Sequence, residues 1–132
     1  MKIGDVAKQA GLDVKTIRYY ENIGLVDSPP RSENGYRDYS ERGVQQLTFL
    51  RHARQFGFSI NECRELLALW ANPHRRSSEL CHLVAEKVRD IDVHIGELKS
   101  MKKVLTELLI ECPNDDDPDC AIITRWATKS EL

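Results

Sequence analysis

Apolar residues near the start of the chain recur at helical spacing, and a glycine separates them into two runs. Gly11 ends the first run, and Asp13 can cap a second helix that continues to about Ile23. The apolar positions of the two runs are Ile3, Val6, Ala7, Ala10, Val14, Ile17 and Tyr20. Two short helices joined by a tight turn with a glycine are typical of a helix-turn-helix, which is the first predicted element.

A hairpin signal follows the second predicted helix. The pair Pro29-Pro30 prevents a helix from starting again at once. Asn34-Gly35 is a strong signal for a two-residue hairpin turn, with polar residues on both sides. A hairpin placed after a helix-turn-helix is a wing, which can lie against a DNA backbone.

Two more helices are predicted between residues 40 and 72. Ser40 can cap a third helix, which Gly57 ends, and Ser59 with Glu62 forms a capping box for a fourth. Their apolar positions are Val44, Leu47, Leu50, Ala53, Leu66, Leu67 and Trp70, and Cys63 on the fourth helix is expected in the core.

Residues from about 78 to 111 include no proline and carry apolar side chains in a heptad rhythm. Successive apolar positions are four, three, four, three, seven and four residues apart, and Lys102 is the one polar interruption. These positions are Val84, Val88, Ile91, Ile95, Leu98, Leu105 and Leu109. Such a helix spans roughly 50 Å, too long to bury itself in one small domain. We therefore predict that this helix pairs, antiparallel or parallel, with the same helix of a second copy. The alternative is that it packs against other helices of its own chain.

Composition describes a globular protein without identifying its partner. The 132 residues are 41% hydrophobic and 30% charged, with a net charge of −2. Residues 1–58 carry a net charge of +2 and the rest −4, which weakly supports a nucleic-acid module in the first half. No secretory signal or apolar stretch of membrane-spanning length is recognised, so a cytoplasmic location without membrane association is expected. The four cysteines should then be thiols, either buried or available to a metal.

Basic and aromatic residues form two clusters between residues 16 and 39. They are Thr16, Arg18, Tyr19 and Tyr20 on the second helix, then Arg31, Asn34, Gly35, Tyr36, Arg37 and Tyr39 around the hairpin. Such side chains hydrogen-bond phosphates and base edges. The alternative is that the arginines are solvated at the surface and the aromatic rings belong to the core, and Tyr20 and Tyr39 are expected to be partly in the core. The combination of helix and wing favours a DNA interface.

A second chemical signal lies near the carboxyl end, where Cys112 and Cys120 are eight residues apart. One proline follows Cys112 and another lies two residues before Cys120, which gives a stiff loop that can bring both sulfurs onto one ion. A short helix over residues 121–127 would lower the pKa of the Cys120 thiol. Two soft thiolates suit Cu(I), whereas Zn(II) normally takes four ligands. A disulfide, a hard cation on the aspartates of the loop, and inert thiols are the alternatives.

The chain resembles the MerR family of transcriptional regulators over nearly its whole length. The motifs that carry the resemblance are Ile17-Arg18-Tyr19-Tyr20-Glu21, Gly24-Leu25, Arg31 through Asn34-Gly35-Tyr36-Arg37 to Tyr39, and Gln55-Phe56-Gly57-Phe58-Ser59. The resemblance implies that Lys15, Thr16, Arg18 and Tyr19 enter or border the major groove, and that Arg31, Tyr36 and Arg37 clamp phosphates, with Arg54 as a further candidate. The expected fold is mostly α, with an N-terminal winged helix-turn-helix, a long antiparallel coiled-coil dimerisation helix, and a C-terminal metal-binding loop and short helix.

Similarity to the copper-efflux regulators of that family, the CueR type, implies that Cys112 and Cys120 are the two ligands of Cu(I), Ag(I) or Au(I). Relatives that sense divalent ions place a further cysteine near the start of the long helix, where this chain has Ser77. Cys81 lies one turn further on, beside His82, and we interpret it as a spectator thiol. As a third ligand it would instead admit a divalent ion. His74, His82 and His94 are interpreted as solvated or packing residues.

The expected domains are a DNA-binding domain over 1–70, a hinge and dimerisation helix over 71–111, and a metal-binding loop and terminal helix over 112–132. The resemblance implies a homodimer on an inverted-repeat promoter, with metal binding distorting the DNA and so acting on RNA polymerase indirectly. A metal-transfer protein without DNA binding and a regulator of redox or organic signals are the rivals. No enzymatic activity is expected, because no nucleophile–base pair, phosphate loop or paired-carboxylate motif stands out.

Overall fold

The computed structural model describes residues 1–112, 115–116, 118 and 120–128, and its regular elements are helices. They are α1 (Ile3–Ala10), α2 (Val14–Asn22), α3 (Glu41–Gln55), α4 (Ile60–Ala71), α5 (Ser77–Glu111) and α6 (Ala121–Trp126). Over these described ranges the extended pairing is an isolated antiparallel bridge between Arg31 and Arg37. The mostly α fold predicted from the sequence is confirmed.

The helices begin where the sequence predicts because their caps form. The Asp13 carboxylate accepts a hydrogen bond from the Thr16 amide at 2.9 Å, and Ser40 caps α3 in the same way. Ser59 and Glu62 form the predicted capping box at the start of α4, with bonds of 2.8 and 3.1 Å. These side chains satisfy amides that a helix leaves without partners in its first turn.

The wing turn is one residue longer than the sequence predicts. The Gly35 amide donates to the Ser32 carbonyl at 2.9 Å, and the Ser32 amide donates to the Tyr36 carbonyl at 2.6 Å. Gly35 has a φ of +80°, the left-handed conformation that closes a three-residue loop. The predicted two-residue Asn34-Gly35 turn was therefore wrong in length, since Glu33 is also part of the loop.

The first four helices enclose one hydrophobic core. Its largest fully buried side chains are Val6, Ile17, Leu47, Leu50 and Cys63, and the burial of Cys63 confirms the prediction for that thiol. Tyr20 and Tyr39 are also buried. Leu80 and Leu83 pack against the same core, so the first turns of α5 are part of this unit.

The chain divides into two compact units, Met1–Val84 and Ala85–Leu132. In the second unit, α5 carries an exposed row of apolar side chains at the predicted heptad positions. Val88, Ile91, Ile95 and Leu98 are each 44 to 53% exposed, whereas Leu108 near the helix end is buried. Among the residues that the structure describes, no helix combines the length and apolar content needed to cross a bilayer.

Candidate functional site

The α2 helix presents the predicted DNA-contacting side chains mainly to solvent. Lys15, Arg18 and Tyr19 are exposed, and the Tyr19 ring lies 6.1 Å from that of Tyr20. Thr16 is half-buried, and its hydroxyl donates to the Asp13 carboxylate at 2.6 Å. The hydrogen bonds from Thr16 hold the pKa of Asp13 below its ordinary value. Thr16 therefore serves the helix cap, whereas the other three side chains remain available for contacts.

Four of the predicted residues meet at one cleft. Arg18 lines it from α2, and Arg31, Tyr36 and Arg37 line it from the wing. The Arg31 guanidinium also reaches the Gly35 carbonyl at 3.5 Å, across the wing loop. The arrangement places cationic and aromatic side chains from two elements on one surface, which is suited to a phosphate backbone.

A buried carboxylate, which the sequence analysis did not single out, joins α2 to the wing. Glu21 is 8% exposed, and it accepts hydrogen bonds from the Arg37 guanidinium and from the Tyr39 hydroxyl. Burial, together with the hydrogen bond to Glu21, raises the pKa of Tyr39 to about 12. The spacing of Ile17, Tyr20 and Glu21 on one face of α2 was the signal that could have identified this residue.

Arg54 lies apart from the residues that line the cleft. Its guanidinium donates to the Phe58 carbonyl at 2.9 Å, across the loop between α3 and α4. The hydrogen bond supports the chain after α3, and it leaves the other nitrogens of the exposed guanidinium available for a second contact.

The two predicted metal ligands converge in the second unit. The sulfur atoms of Cys112 and Cys120 are 3.4 Å apart, and both residues are half-buried free thiols. Cys112 follows α5, and Cys120 is the N-cap residue of α6. Hydrogen bonds from the Ile122 amide and from Cys112 lower the pKa of the Cys120 thiol, which favours its thiolate.

An ion pair connects the helices on either side of this thiol pair. The Arg125 guanidinium of α6 donates to the Glu111 carboxylate of α5 at 3.1 Å. Both side chains are partly exposed, so we expect the pair to stabilise the unit by no more than about 1 kcal/mol. Of the loop between the cysteines, Pro113, Asn114, Asp117 and Asp119 lie outside the described residues, and with them one of its two prolines and two of its four aspartates.

The remaining cysteines and histidines are not gathered into a metal site. Cys81 is exposed on α5, whereas Cys63 is buried with its sulfur 4.0 Å from the Phe58 carbonyl. His94 lies 3.6 Å from Glu97 on the surface of α5. Within the described part of the chain, no group of three or more His, Cys, Asp or Glu side chains is placed to hold an ion.

Comparison with known proteins gives consistent matches. Residues 1–69 match the family model described as MerR HTH family regulatory protein, and residues 44–108 match that described as MerR, DNA binding. The chain is 50% identical to HTH-type transcriptional regulator CueR of Salmonella typhimurium, covering 93% of this chain and 89% of the relative. It is 40% identical to Heavy metal-dependent transcription regulator 2 of Rhizobium meliloti, covering 98% and 88%.

A solved structure is similar over the same length. The transcription regulator PbrR691 from Ralstonia metallidurans, in complex with lead(II), has a TM-score of 0.81 and 32% identity. The match covers 96% of this chain and 98% of that one. The likeness therefore extends beyond the helix-turn-helix to the long helix and the residues that follow it.

Proposed function

The chain belongs to the MerR family of helix-turn-helix regulatory proteins, and from this membership we propose that it activates transcription in response to a monovalent coinage-metal ion. The ion, Cu(I), Ag(I) or Au(I), is held by Cys112 and Cys120, and the protein binds promoter DNA as a homodimer. The observation that carries the proposal is the 3.4 Å separation of two half-buried sulfurs in a chain whose relatives include a heavy metal-dependent regulator.

The chemistry of the thiol pair supports a soft monovalent ion. Two thiolates and one such ion leave a single net negative charge, whereas two free thiolates carry two. Partial burial therefore favours the loaded pair, because isolated charges are costly to remove from water. The lowered pKa of Cys120 has the same effect, since the thiolate is the form that binds metal.

The separation of the sulfurs suggests how binding is transmitted. An ion held by both thiolates would lie between the two sulfur atoms. Binding would then move the sulfurs apart from their 3.4 Å separation in this structure. Cys120 is the N-cap residue of α6, so a shift of its sulfur changes the position from which that helix starts.

A divalent ion is the competing ligand. Zn(II) usually takes four protein ligands, whereas the described residues bring two thiols together. The lead(II) complex of a similar protein is the observation that favours a divalent alternative. In that alternative, Cys81 would be the additional ligand. The two alternatives predict different metal responses and are separated by the experiment below.

The DNA interface is assigned to α2 and the wing. Arg18, Arg31 and Tyr36 approach the phosphate backbone at the cleft, and Lys15 and Tyr19 lie on the exposed face of α2 that would enter the major groove. Arg37 supports this interface by holding the wing to Glu21, in addition to any phosphate contact. Arg54 would contact the backbone next to the loop after α3.

The exposed apolar row of α5 supports the homodimer. Its heptad spacing is that of a coiled-coil seam, and a second copy would remove the half-exposed side chains from water. Two wings related by a two-fold axis read an inverted repeat. The chain is thus divided by role into a DNA-binding part over 1–70, a hinge and dimerisation helix over 71–111 and a sensor over 112–132.

The metal activates by favouring one of two conformations of the dimer on its promoter. It shifts the equilibrium only as far as its affinities for the two conformations differ. The activating conformation bends and untwists the DNA, so that RNA polymerase responds to the altered promoter. The deformation energy depends on the sequence of the spacer between the half-sites, including positions that the protein does not contact.

In vitro transcription from the promoter beside the protein's own gene tests the proposal. Cu(I), Ag(I) and Zn(II) are titrated separately, and we expect activation by the first two. Activation by Zn(II) alone would replace this proposal with the divalent one, and activation by an oxidant without metal would indicate a redox sensor. A metal-transfer protein would show no sequence-selective, salt-dependent shift of the promoter fragment in a gel.

A further inference from the structure

A cleft of about 490 Å³ separates the start of α1 from the wing. Arg18, Arg31 and Arg37 line it, as already described, and Lys2 lines the side formed by the start of α1. Nothing in the sequence distinguishes Lys2 from the other lysines. Its position in the fold adds a fourth basic side chain, from a third element, to the surface assigned to DNA.

The Lys2 ammonium is held in place by an aromatic ring. Its nitrogen lies 4.6 Å from the centroid of the Tyr36 ring, a cation–π contact between α1 and the wing. Lys2 is the N-cap residue of α1, yet its side chain makes no capping hydrogen bond. An ammonium has three donors, so the ring can orient the group while other N–H bonds point into the cleft.

The charges around the cleft favour an anion. Four basic residues line it together with one carboxylate, that of Asp5. Arg37 is already neutralised by Glu21, which lies behind the wing. Two positive charges therefore remain in excess among the described residues that line the cleft, enough to attract a singly charged phosphodiester.

We propose that this cleft binds one phosphodiester of the DNA backbone and that Lys2, oriented by Tyr36, is a direct phosphate contact. The inference rests on the proposed function, because it adds a contact to the interface of a DNA-binding regulator. It also divides the roles of the basic residues that line the cleft. Lys2, Arg18 and Arg31 neutralise the phosphate, whereas Arg37 acts mainly as a positioning residue through Glu21.

The salt dependence of DNA binding tests the contact. Each neutralised phosphate contributes about −0.9 to the slope of log affinity against log salt concentration. Lys2→Gln removes this contact from both copies of the dimer. It should therefore make the slope shallower by about 1.8 for a duplex taken from upstream of the protein's own gene, measured by fluorescence anisotropy. Lys2→Arg, which keeps the charge, should restore the slope of the unmodified protein.

Lys8→Gln is the matched control. Lys8 is an exposed lysine in the last turn of the same helix and does not line the cleft, so this variant loses the same charge elsewhere. We expect its slope to match that of the unmodified protein. Equal slopes for the two glutamine variants would overturn the inference while leaving the proposed function intact. An unmodified protein that bound the duplex without salt dependence would overturn both.

Discussion

The buried carboxylate of Glu21 on α2 accepts a hydrogen bond from the guanidinium of Arg37 in the wing. The two residues are sixteen positions apart, and the Glu21 side chain is 1% exposed whereas that of Arg37 is 31% exposed. The contact fixes the angle between the helix that would enter the major groove and the hairpin that would lie on the backbone. The geometry of the proposed DNA interface would thus depend on Glu21, a buried residue that does not itself line the cleft.

Glu21→Gln tests this joint. The amide can still bond Tyr39, but it leaves the Arg37 guanidinium without its charged partner, so we expect the free energy of unfolding to fall by about 1–3 kcal/mol. Promoter affinity should fall as well, because the wing is no longer held. Urea denaturation and gel shifts measure the two effects. Glu65→Gln, at an exposed position of α4, should change neither, and an unchanged stability of Glu21→Gln would contradict the assigned role.

The raised pKa of Tyr39 predicts a loss of stability at high pH. The folded protein retains the phenolic proton up to a pKa of about 12, whereas an unfolded tyrosine releases it near 10. Between these values the folded state binds more protons, so stability falls as pH rises through the window and is unaffected below it. The stability difference between the unmodified protein and Tyr39→Phe should change between pH 10 and 12, as measured by denaturation. A difference independent of pH there would contradict the prediction.

The apolar row on α5 predicts that one charged substitution disrupts the dimer. Val88→Lys places an ammonium in the seam and removes a buried side chain worth about 1.5 kcal/mol from each copy. The dimer dissociation constant should rise by more than tenfold, as measured by sedimentation equilibrium. Val93→Lys is the matched control, because Val93 is exposed on α5 outside the heptad row. Equal association of both variants would show that the row is not the dimer seam.

Substitution of the cysteines separates sensing from DNA binding. Cys112→Ser and Cys120→Ser should each abolish activation by Cu(I), because a hydroxyl does not replace a thiolate for a soft ion. Promoter affinity without metal should stay within about twofold, a change worth less than 0.5 kcal/mol. Cys81→Ser should behave like the unmodified protein in transcription assays. Equal loss of DNA binding in the two sensor variants would indicate a folding role for these thiols instead.

Features set by neighbouring residues were predictable from the sequence. The caps at Asp13, Ser40 and Ser59 each depend on an amide three positions away, and all three formed as expected. The wing turn was predicted one residue short, because Asn34-Gly35 fits both a two-residue turn and a longer loop that ends on a left-handed glycine. Short-range sequence patterns thus predicted where the helices begin, but they did not distinguish between two similar hairpin turns.

Features that depend on distant partners were not predictable. From the sequence alone, the Glu21 carboxylate is expected on the exposed surface of α2. Its burial depends on hydrogen bonds from Arg37 and Tyr39, which are distant in the sequence. Lys2 likewise acquires a role only when the fold places the Tyr36 ring beneath its ammonium. The convergence of Cys112 and Cys120 was expected from the stiff loop, and the lowered pKa of Cys120 was expected from a short helix after it. The 3.4 Å separation of the two sulfurs was not predictable, because it depends on how α6 lies against the end of α5.

X-ray absorption of the Cu(I)-loaded protein tests the central claim most directly. The sulfurs of Cys112 and Cys120 lie 3.4 Å apart, and we predict that both become bonded to one ion. The spectrum should contain a single shell of two sulfur neighbours, and this shell should disappear in Cys112→Ser. A shell dominated by nitrogen or oxygen, or one of four donors, would contradict the account.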